Sequence, residues 1–254
     1  MIRRAARYAD SGVEQLLAAS YTGATVAEGF AETRKVTSQI IRDVDHFDPL
    51  TTKVTMATWA APRSAMPHSI PDLSDRLGAG PHVGLVLTRV NGSAAECERT
   101  YFTTPPTSDV RRALGAMVEA RRIALSMVRP GVACGELDAR VNEFLREEGY
   151  GTDDQRLHRT GHGIGLGNHE GPWVSEGSDA SLAENVVISV EPGVYLNGVG
   201  GVRHSDTVLV TAAGHEMLTA ITTDVGALTI GGWKPTARLR GHAVRSALRL
   251  NRRG

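Results

Sequence analysis

A glycine-rich segment in the second half of the 254-residue chain constrains its local structure more than any other feature. Residues 160–166 read Thr-Gly-His-Gly-Ile-Gly-Leu, so glycines flank His162 on both sides, and His169 follows shortly after. Farther along, Glu191 ends an apolar run and is followed by a Pro-Gly pair. Glycine lets the backbone approach a reacting group closely, and a carboxylate at the end of an apolar strand is costly to bury unless it is paired. The pattern therefore predicts a functional site that contains His162, His169 and Glu191.

Hydrophobic periodicity predicts that a pair of helices followed by strands occurs twice along the chain. Apolar residues recur at helical spacing over 2–19 and 26–41, and again over 107–127 and 136–148. Segments rich in β-branched residues predict strands, and Asn91-Gly92 is a favoured hairpin turn between two of them. The predicted strands are 53–59, 83–90, 97–103, 186–191, 206–210 and 215–219.

A short internal similarity relates the two halves of the chain. Residues 23–28 read Gly-Ala-Thr-Val-Ala-Glu and residues 131–136 read Gly-Val-Ala-Cys-Gly-Glu, 108 residues later when 23 is subtracted from 131. Each segment lies between two predicted helices. Either the match is a coincidence or the chain contains an internal duplication. A duplication predicts two similar halves with a ligand-binding cleft between them.

Composition excludes several classes of protein. The formal net charge is zero, so no overall field favours nucleic acid or membrane partners. No apolar run approaches the roughly 20 residues of a membrane span. The two cysteines, Cys97 and Cys134, suggest neither a disulfide framework nor a zinc-ligand cluster. We therefore expect a reduced, cytoplasmic setting.

The end of the chain differs in charge from the rest. Residues 225–254 contain basic side chains and no acidic ones. We predict one domain over 1–224 and a basic extension over 225–254. The extension is either a solvated, frayed end or a basic amphipathic helix that docks on an acidic surface or partner.

The order and spacing of the motifs resemble the pita-bread family, which includes methionine and Xaa-Pro aminopeptidases, prolidase and creatinase. The resemblance rests on 160–172, 189–195 and three further segments at 62–68, 96–100 and 200–210. It implies an α+β fold of two pseudo-twofold halves, with a curved antiparallel sheet, helices on the outer face and the site in the concave face. The family often forms homodimers, so a homodimer is an expectation here. The chain begins at the first helix of this unit, so the N-terminal domain of creatinase and prolidase is expected to be absent.

Five positions of this chain match the metal ligands of the family's peptidases. The resemblance places Leu85, Glu96, His162, Glu191 and Ser205 there. Leu85 has no donor atom and Ser205 offers only a hydroxyl, whereas a pair of ions needs carboxylates to bridge and neutralise it. Side chains alternate along a strand, so His204 and Asp206 are expected to point away from Ser205 and cannot replace it. We therefore expect no metal cofactor, with weak binding of a single divalent ion as the alternative.

Three residues resemble the active-site set of creatinase, a metal-free member of the family. They are His68, which matches the catalytic acid/base, Glu98 in a Glu-Arg-Thr element, and Glu191. The resemblance implies a metal-independent hydrolase that cleaves a C–N bond of a small guanidino or amidino cation. In this hypothesis the carboxylates grip the cation, His68 moves the proton, and His162 and His169 complete the catalytic set. Two alternatives are a metal-dependent aminopeptidase or Xaa-Pro dipeptidase acting on peptides, and a non-catalytic binding module on the same fold.

Overall fold

The computed structural model describes residues 1–250; Arg252 and Arg253 of the predicted basic extension lie outside the described residues. The helices are α1 Ile2–Ala19, α2 Val26–Ala31, α3 Thr33–Asp43, α4 Ser108–Met127, α5 Cys134–Glu147 and α6 Pro235–Ala247. The strands are β1 Lys53–Trp59, β2 His82–Val90, β3 Ser93–Tyr101, β4 Gly161–Gly163, β5 Glu170–Val174, β6 Val187–Val190, β7 Gly193–Leu196, β8 Gly200–Arg203, β9 Ser205–Thr211 and β10 Gly214–Met217. Over residues 1–250, no helix is both long and apolar enough to cross a bilayer.

An antiparallel sheet runs through the middle of the molecule. Its strand order is β1-β2-β3-β9-β6-β4-β5, and β10 pairs with the end of β9. The Asn91-Gly92 turn joins β2 to β3 with φ values of 46° and 86°, as expected for a hairpin turn of this sequence. A separate ribbon is formed by β7 and β8. The curled antiparallel sheet with its helices confirms the predicted α+β pita-bread fold.

Each half of the sheet is covered by its own helices and has its own hydrophobic core. In the first half, Val13 of α1 and Val36 of α3 pack with Met56 of β1. In the second half, Met117 of α4 and Leu137 of α5 pack in one cluster that reaches β9. Because burial of apolar side chains is the main favourable term in folding, these two cores hold the helices on the outside. Charged side chains and a few apolar residues lie on the other face of the sheet, where they line a cavity.

The internal similarity found in the sequence corresponds to the same loop in each half. Gly23 and Gly131 have φ values of +90° and +85°, which L side chains rarely adopt and glycine adopts freely. Two residues later, Thr25 and Ala133 each form an isolated β-bridge, and a helix begins at the next residue. The loops therefore share these backbone features as well as the glycine and glutamate at the two ends of the similar segment.

Several element boundaries differ from those predicted. The helix predicted over 26–41 is divided at Glu32, whose N–H donates to Gly29 and Phe30 carbonyls as α2 ends and α3 begins at Thr33. The strand predicted from 97 already begins at Ser93. The sequence did not indicate β4, β5, β7 and β8, because these strands are three to five residues long and contain glycine or proline. Such segments lack the alternation on which strand prediction depends.

The segment after residue 224 begins as part of the folded body. Leu228 is fully buried in the core of the first half. The Phe102 N–H donates to the Leu228 carbonyl over 2.9 Å, and the Ile230 N–H donates to the Phe102 carbonyl over 2.8 Å. These two hydrogen bonds hold residues 228–230 against Phe102, the residue after β3, and the chain then leads into α6.

Helix α6 lies against α1 and α2 of the first half. Lys234, just before α6, donates from Nζ to the Leu17 and Ser20 carbonyls, each over 3.0 Å. These carbonyls lie at the C-terminal end of α1, where the helix dipole favours a cation. Arg245 of α6 forms an ion pair with the buried Glu28 of α2. Residues 235–247 therefore form a basic helix that docks on an acidic residue of the chain itself.

Candidate active site

A cavity of about 380 Å³ lies on the concave face of the sheet. It is lined by all five residues that the sequence nominated, which are His68, Glu98, His162, His169 and Glu191. They come from a loop after β1, from β3 and β4, from the loop after β4, and from the residue after β6. The sheet therefore brings together side chains that are separated by more than 100 positions in the sequence.

The first-half wall of the cavity is set by the register of the β2–β3 hairpin. Glu96 and Glu98 are two residues apart on β3, so both side chains point to the same face. Across the hairpin, Leu87 is paired with Glu96 and Leu85 with Glu98. Both leucines line the cavity beside the two glutamates. The position that the family resemblance assigned to a metal-ligating aspartate thus presents an apolar side chain to the site.

The second-half wall depends on glycines beside His162. The backbone of β4 lies between β5 and β6, and an added Cβ at Gly163 would come within 2.2 Å of the Gly171 carbonyl oxygen. An added Cβ at Gly161 would lie 2.1 Å from the Ser189 carbonyl oxygen. The sequence pattern suggested that a ligand approaches these glycines. The structure shows instead that neighbouring strands approach them, and this packing fixes the position of His162.

Three possible metal ligands meet at His162. Its Nε2 lies 3.5 Å from Glu96 Oε1 and 3.4 Å from Glu191 Oε1, and the three atoms lie within 4.8 Å of one another. The Nδ1–H donates to the Gly163 carbonyl over 2.9 Å, which leaves Nε2 directed at the two carboxylates. Nε2 is buried and has no hydrogen-bond partner among the described residues. A histidine held by a backbone carbonyl in this way is the usual arrangement of a metal ligand.

The electrostatics of this cluster favour a cation at its centre. Burial opposes the charged form of His162, but Glu191 and Glu96 outweigh it and raise its pKa to about 10. Burial likewise raises the pKa of Glu191, but His162, His158 and Arg203 outweigh it and lower that pKa to about 2. A proton on His162 and a divalent ion both satisfy the two carboxylates, and a metal ion binds the deprotonated imidazole. The expectation of no metal is therefore at odds with this cluster, whereas a single divalent ion is compatible with it.

Glu98 is already paired with a cation from the chain. Arg203 of β8 forms a bidentate ion pair with Glu98, in which Nη2 donates to Oε1 over 2.6 Å and Nε donates to Oε2. Burial raises the pKa of Glu98 to about 7, and Arg203 opposes this rise. His68 is exposed on its loop, and its ring centre is 6.3 Å from that of His158. The structure thus places the three creatinase-type residues in one cavity, but with one carboxylate engaged by an arginine.

Ser205, which the family resemblance matched to the last ligand position, contacts Glu96 directly. Its Oγ donates to Glu96 Oε1 over 3.0 Å and lies 3.1 Å from Ser189 Oγ. The next residue, Asp206, accepts from Arg99 and Arg121 over 2.7 Å each, in a separate buried network. The predicted alternation along β9 is therefore correct for Asp206, which does not replace the missing carboxylate.

Sequence reasoning missed several residues around the cavity. Arg203 was part of a recognised motif, but no role was assigned to it. His158 also lines the cavity and hydrogen-bonds to the buried Tyr195 hydroxyl, which accepts from Arg203 Nη1 over 3.2 Å. Burial lowers the pKa of His158 to about 4, so its imidazole is neutral at pH 7. His158 stands in an irregular segment with no periodicity, and no sequence signal marks it.

Comparison with known proteins places this architecture in one family. The profile of metallopeptidase family M24 matches residues 1–212. The Xaa-Pro dipeptidase of Pyrococcus furiosus is 37% identical over 158 residues, which cover 62% of this chain and 44% of the relative. A probable dipeptidase, PepE, of Mycobacterium tuberculosis is 36% identical over 152 residues, which cover 54% of this chain and 40% of the relative. The matches therefore span less than half the length of these curated relatives.

Solved structures agree with the sequence matches. An Xaa-Pro dipeptidase from Bacillus anthracis superimposes with a TM-score of 0.77 at 27% identity, covering 88% of this chain and 61% of that one. The prolidase from Pyrococcus furiosus gives a TM-score of 0.72 at 30% identity, covering 87% and 63%. Since the family profile matches most of the sequence and the fold agrees, the chain belongs to metallopeptidase family M24, the pita-bread family.

Proposed function

We propose that this protein is a metal-dependent peptidase that hydrolyses short peptides, with Xaa-Pro dipeptides as the first substrate class. The observation that carries the proposal is the convergence of the Glu96 and Glu191 carboxylates on the buried Nε2 of His162. The names of the relatives, Xaa-Pro dipeptidase and probable dipeptidase, agree with it. Of the functions considered from the sequence, this is the peptidase alternative, and the comparisons favour it over the creatinase-type hypothesis.

The donor set of the cavity suits a catalytic divalent ion. One imidazole nitrogen and two carboxylates would hold the ion, and three protein ligands leave positions open for water and substrate. When bound, such an ion lowers the pKa of a coordinated water and polarises a carbonyl oxygen. Glu96 and Glu191 supply the negative charge that a divalent cation needs. The Gly163 carbonyl keeps the proton of His162 on Nδ1, away from the ligand atom.

Other side chains of the cavity are suited to bind a small peptide. Trp59, Leu85 and Leu87 form an apolar part of the wall that could pack against a proline ring. His169 is exposed at the rim, with its ring centre 4.2 Å from that of His162, so it can contact a substrate held at the ligand cluster. Arg159 lies over the Trp173 ring at 4.4 Å and lines the cavity, where its charge suits a peptide carboxylate. The cavity volume lies within the usual range for small-molecule sites.

The creatinase-type hypothesis is less well supported by the same cavity. That hypothesis needs Glu98 and Glu191 to grip a substrate guanidinium together. Arg203 already fills this role for Glu98 with its own guanidinium. A substrate cation would have to displace a buried ion pair, and leaving a buried charge without its partner is costly.

The test uses the full chain, stripped of metal and then supplied with manganese, cobalt or zinc. Xaa-Pro dipeptides are compared with Xaa-Ala dipeptides and with creatine and other guanidino compounds. We expect hydrolysis of dipeptides only with metal, and loss of at least about 1,000-fold in His162→Ala. His215→Ala, at an exposed histidine on β10, is the matched control and is expected to be fully active. Metal-independent turnover of a guanidino compound, with no turnover of peptides, would overturn the proposal.

A further inference from the structure

We infer that the cavity holds one divalent cation and not two, because two groups of this chain's own residues replace the second ion. One group is the Ser189–Ser205 hydroxyl pair, and the other is the Glu98–Arg203 ion pair. The inference rests on the proposed metal dependence but goes beyond it, because it fixes the metal stoichiometry. It also departs from what the family resemblance implies for the peptidases, in which the matching residues hold two ions.

The first step is that one ion has three protein ligands. Glu96 Oε1, His162 Nε2 and Glu191 Oε1 lie within 4.8 Å of one another. His162 is 1% exposed, and its Nε2 lacks a hydrogen-bond partner within residues 1–250. The groups that face this nitrogen are the two carboxylates at 3.4 and 3.5 Å, and a divalent ion between the three atoms would satisfy all of them at once.

The second step concerns Ser205, where the family resemblance places a carboxylate that bridges two ions. A hydroxyl brings no negative charge, and this one already donates to Glu96 Oε1 over 3.0 Å. Ser189 extends the contact, with its Oγ 3.1 Å from Ser205 Oγ. Both serines are fully buried. Ser205 is therefore a positioning residue that orients one ligand of a single ion.

The third step concerns Leu85 and its neighbour across the hairpin. Leu85 offers no donor atom, and Glu98 is its cross-strand partner. Glu98 would be the available carboxylate on this side, but both of its oxygens accept from Arg203. The buried guanidinium is permanently charged. A divalent ion beside it would be repelled and would also have to break the ion pair.

The balance of charge agrees with one ion. Glu98 is neutralised by Arg203, and Glu96 and Glu191 together neutralise one divalent cation beside a neutral His162. A second divalent ion would leave two uncompensated positive charges in a largely buried cavity. Uncompensated charge is expensive where water is excluded.

The stoichiometry is measured by titrating metal-free protein with manganese, followed by desalting and elemental analysis. We expect one manganese per chain, with the electron paramagnetic resonance spectrum of an isolated ion. In Ser205→Ala the stoichiometry stays at one, but the affinity falls about 10-fold, as is common when a residue that holds a ligand is removed. His215→Ala is the matched control and is expected to bind like the unchanged protein.

A second variant tests whether Leu85 and Ser205 limit the protein to one metal ion. The double substitution Leu85→Asp and Ser205→Glu restores two carboxylates, and we expect it to bind a second manganese with spin coupling between the ions. Two ions in the unchanged protein would overturn this inference and leave the proposed peptidase function standing. No bound ion would overturn the proposed metal dependence itself. The first result does not depend on whether the double variant folds.

Discussion

The second half of the chain supplies His162 and Glu191 from a tightly packed backbone, whereas the first half supplies Leu85, Glu96 and Glu98 from a regular hairpin. On β4, glycines are required because neighbouring carbonyls lie too close for a Cβ. On β2 and β3, successive residues simply alternate between the two faces of the sheet. Substitution at a hairpin position changes the side chain in the cavity without moving the backbone. The same regular alternation keeps Glu96 in the cavity beside Leu85, so a ligand candidate and an apolar side chain lie next to each other on one hairpin.

The largest effect on stability is expected from the Glu98–Arg203 ion pair, which joins β3 of the first half to β8 of the second half. Glu98→Ala leaves Arg203 buried without its partner, which costs about 3–5 kcal/mol. The double substitution Glu98→Ala and Arg203→Met removes both charges and should recover most of the loss. Urea unfolding measures both free energies. A loss below about 1 kcal/mol in Glu98→Ala would show that the pair does not stabilise the fold.

A slightly smaller loss of stability is expected on β4, where the backbone of the second half is packed closely between two strands. Gly163→Ala places a methyl group 2.2 Å from the Gly171 carbonyl oxygen, and this overpacking should cost about 3 kcal/mol. Gly115→Ala is the matched control, because this exposed glycine of α4 has nothing within 4 Å of an added Cβ. It should stabilise the protein by up to about 1 kcal/mol. Equal free energies of unfolding for the two variants would contradict the proposed role of β4 packing.

Much of the fold could be predicted from the sequence because it is encoded locally. The helices follow from apolar periodicity, and the repeated loops follow from Gly23 and Gly131, which need positive φ. The assignment of Leu85 and Ser205 to ligand positions came from the spacing of their motifs and stays a prediction, although Leu85 does line the cavity. The expected homodimer and cytoplasmic location stay predictions.

The contacts within the site could not be predicted in the same way. Arg203 and Glu98 are 105 residues apart, and their pairing depends on how β3 and β8 are placed in three dimensions. Without that contact, Glu98 looked free to bind a substrate cation, and the creatinase-type hypothesis depended on it. The expectation of no metal arose from counting lost ligands, whereas the three that remain converge in space.

The repeated loops allow a matched comparison of the two halves. Glu28 and Glu136 occupy equivalent places, but Glu28 is 3% exposed and Glu136 is exposed on the surface. Glu28 accepts from the Tyr21 hydroxyl, caps α2 through the Thr25 N–H and pairs with Arg245. Glu28→Ala should therefore cost about 1–3 kcal/mol, and Glu136→Ala less than about 0.5 kcal/mol.

Thermal or urea unfolding of these two variants decides whether the halves differ at this position. Arg245→Met removes the α6 partner and should reproduce part of the Glu28→Ala loss. If Glu28→Ala and Glu136→Ala were equally destabilised, the docking of α6 would contribute nothing to the first half. The two repeated loops would then contribute equally to stability, with or without α6.

The smallest effect on the free energy of unfolding is expected from Asp10, a partly buried acid on α1. The equivalent position in the second half, 108 residues later, is Val118 of α4. Burial raises the pKa of Asp10 to about 6, although the Ala220 N–H, which donates over 2.8 Å, opposes the rise. The folded state thus holds the proton more tightly than the unfolded chain, whose pKa is near 3.8. This contribution to stability is present below about pH 4 and is lost as the pH rises through about 6.

Substitution of Asp10 by asparagine removes this titration while keeping the size of the side chain. Because Asp10 is partly exposed, solvent screening reduces the expected difference to about 1 kcal/mol. Asp10→Asn should therefore gain about 1 kcal/mol relative to the unchanged protein between pH 4 and pH 7, measured as the difference between their unfolding free energies. Val118→Asn, at the equivalent place in the second half, should show no such pH dependence, because it adds no titratable group. A constant difference between Asp10→Asn and the unchanged protein across this range would mean that Asp10 titrates normally. In that case the charge of Asp10 on α1 costs the first half no stability, and the two halves do not differ in pH dependence at this position.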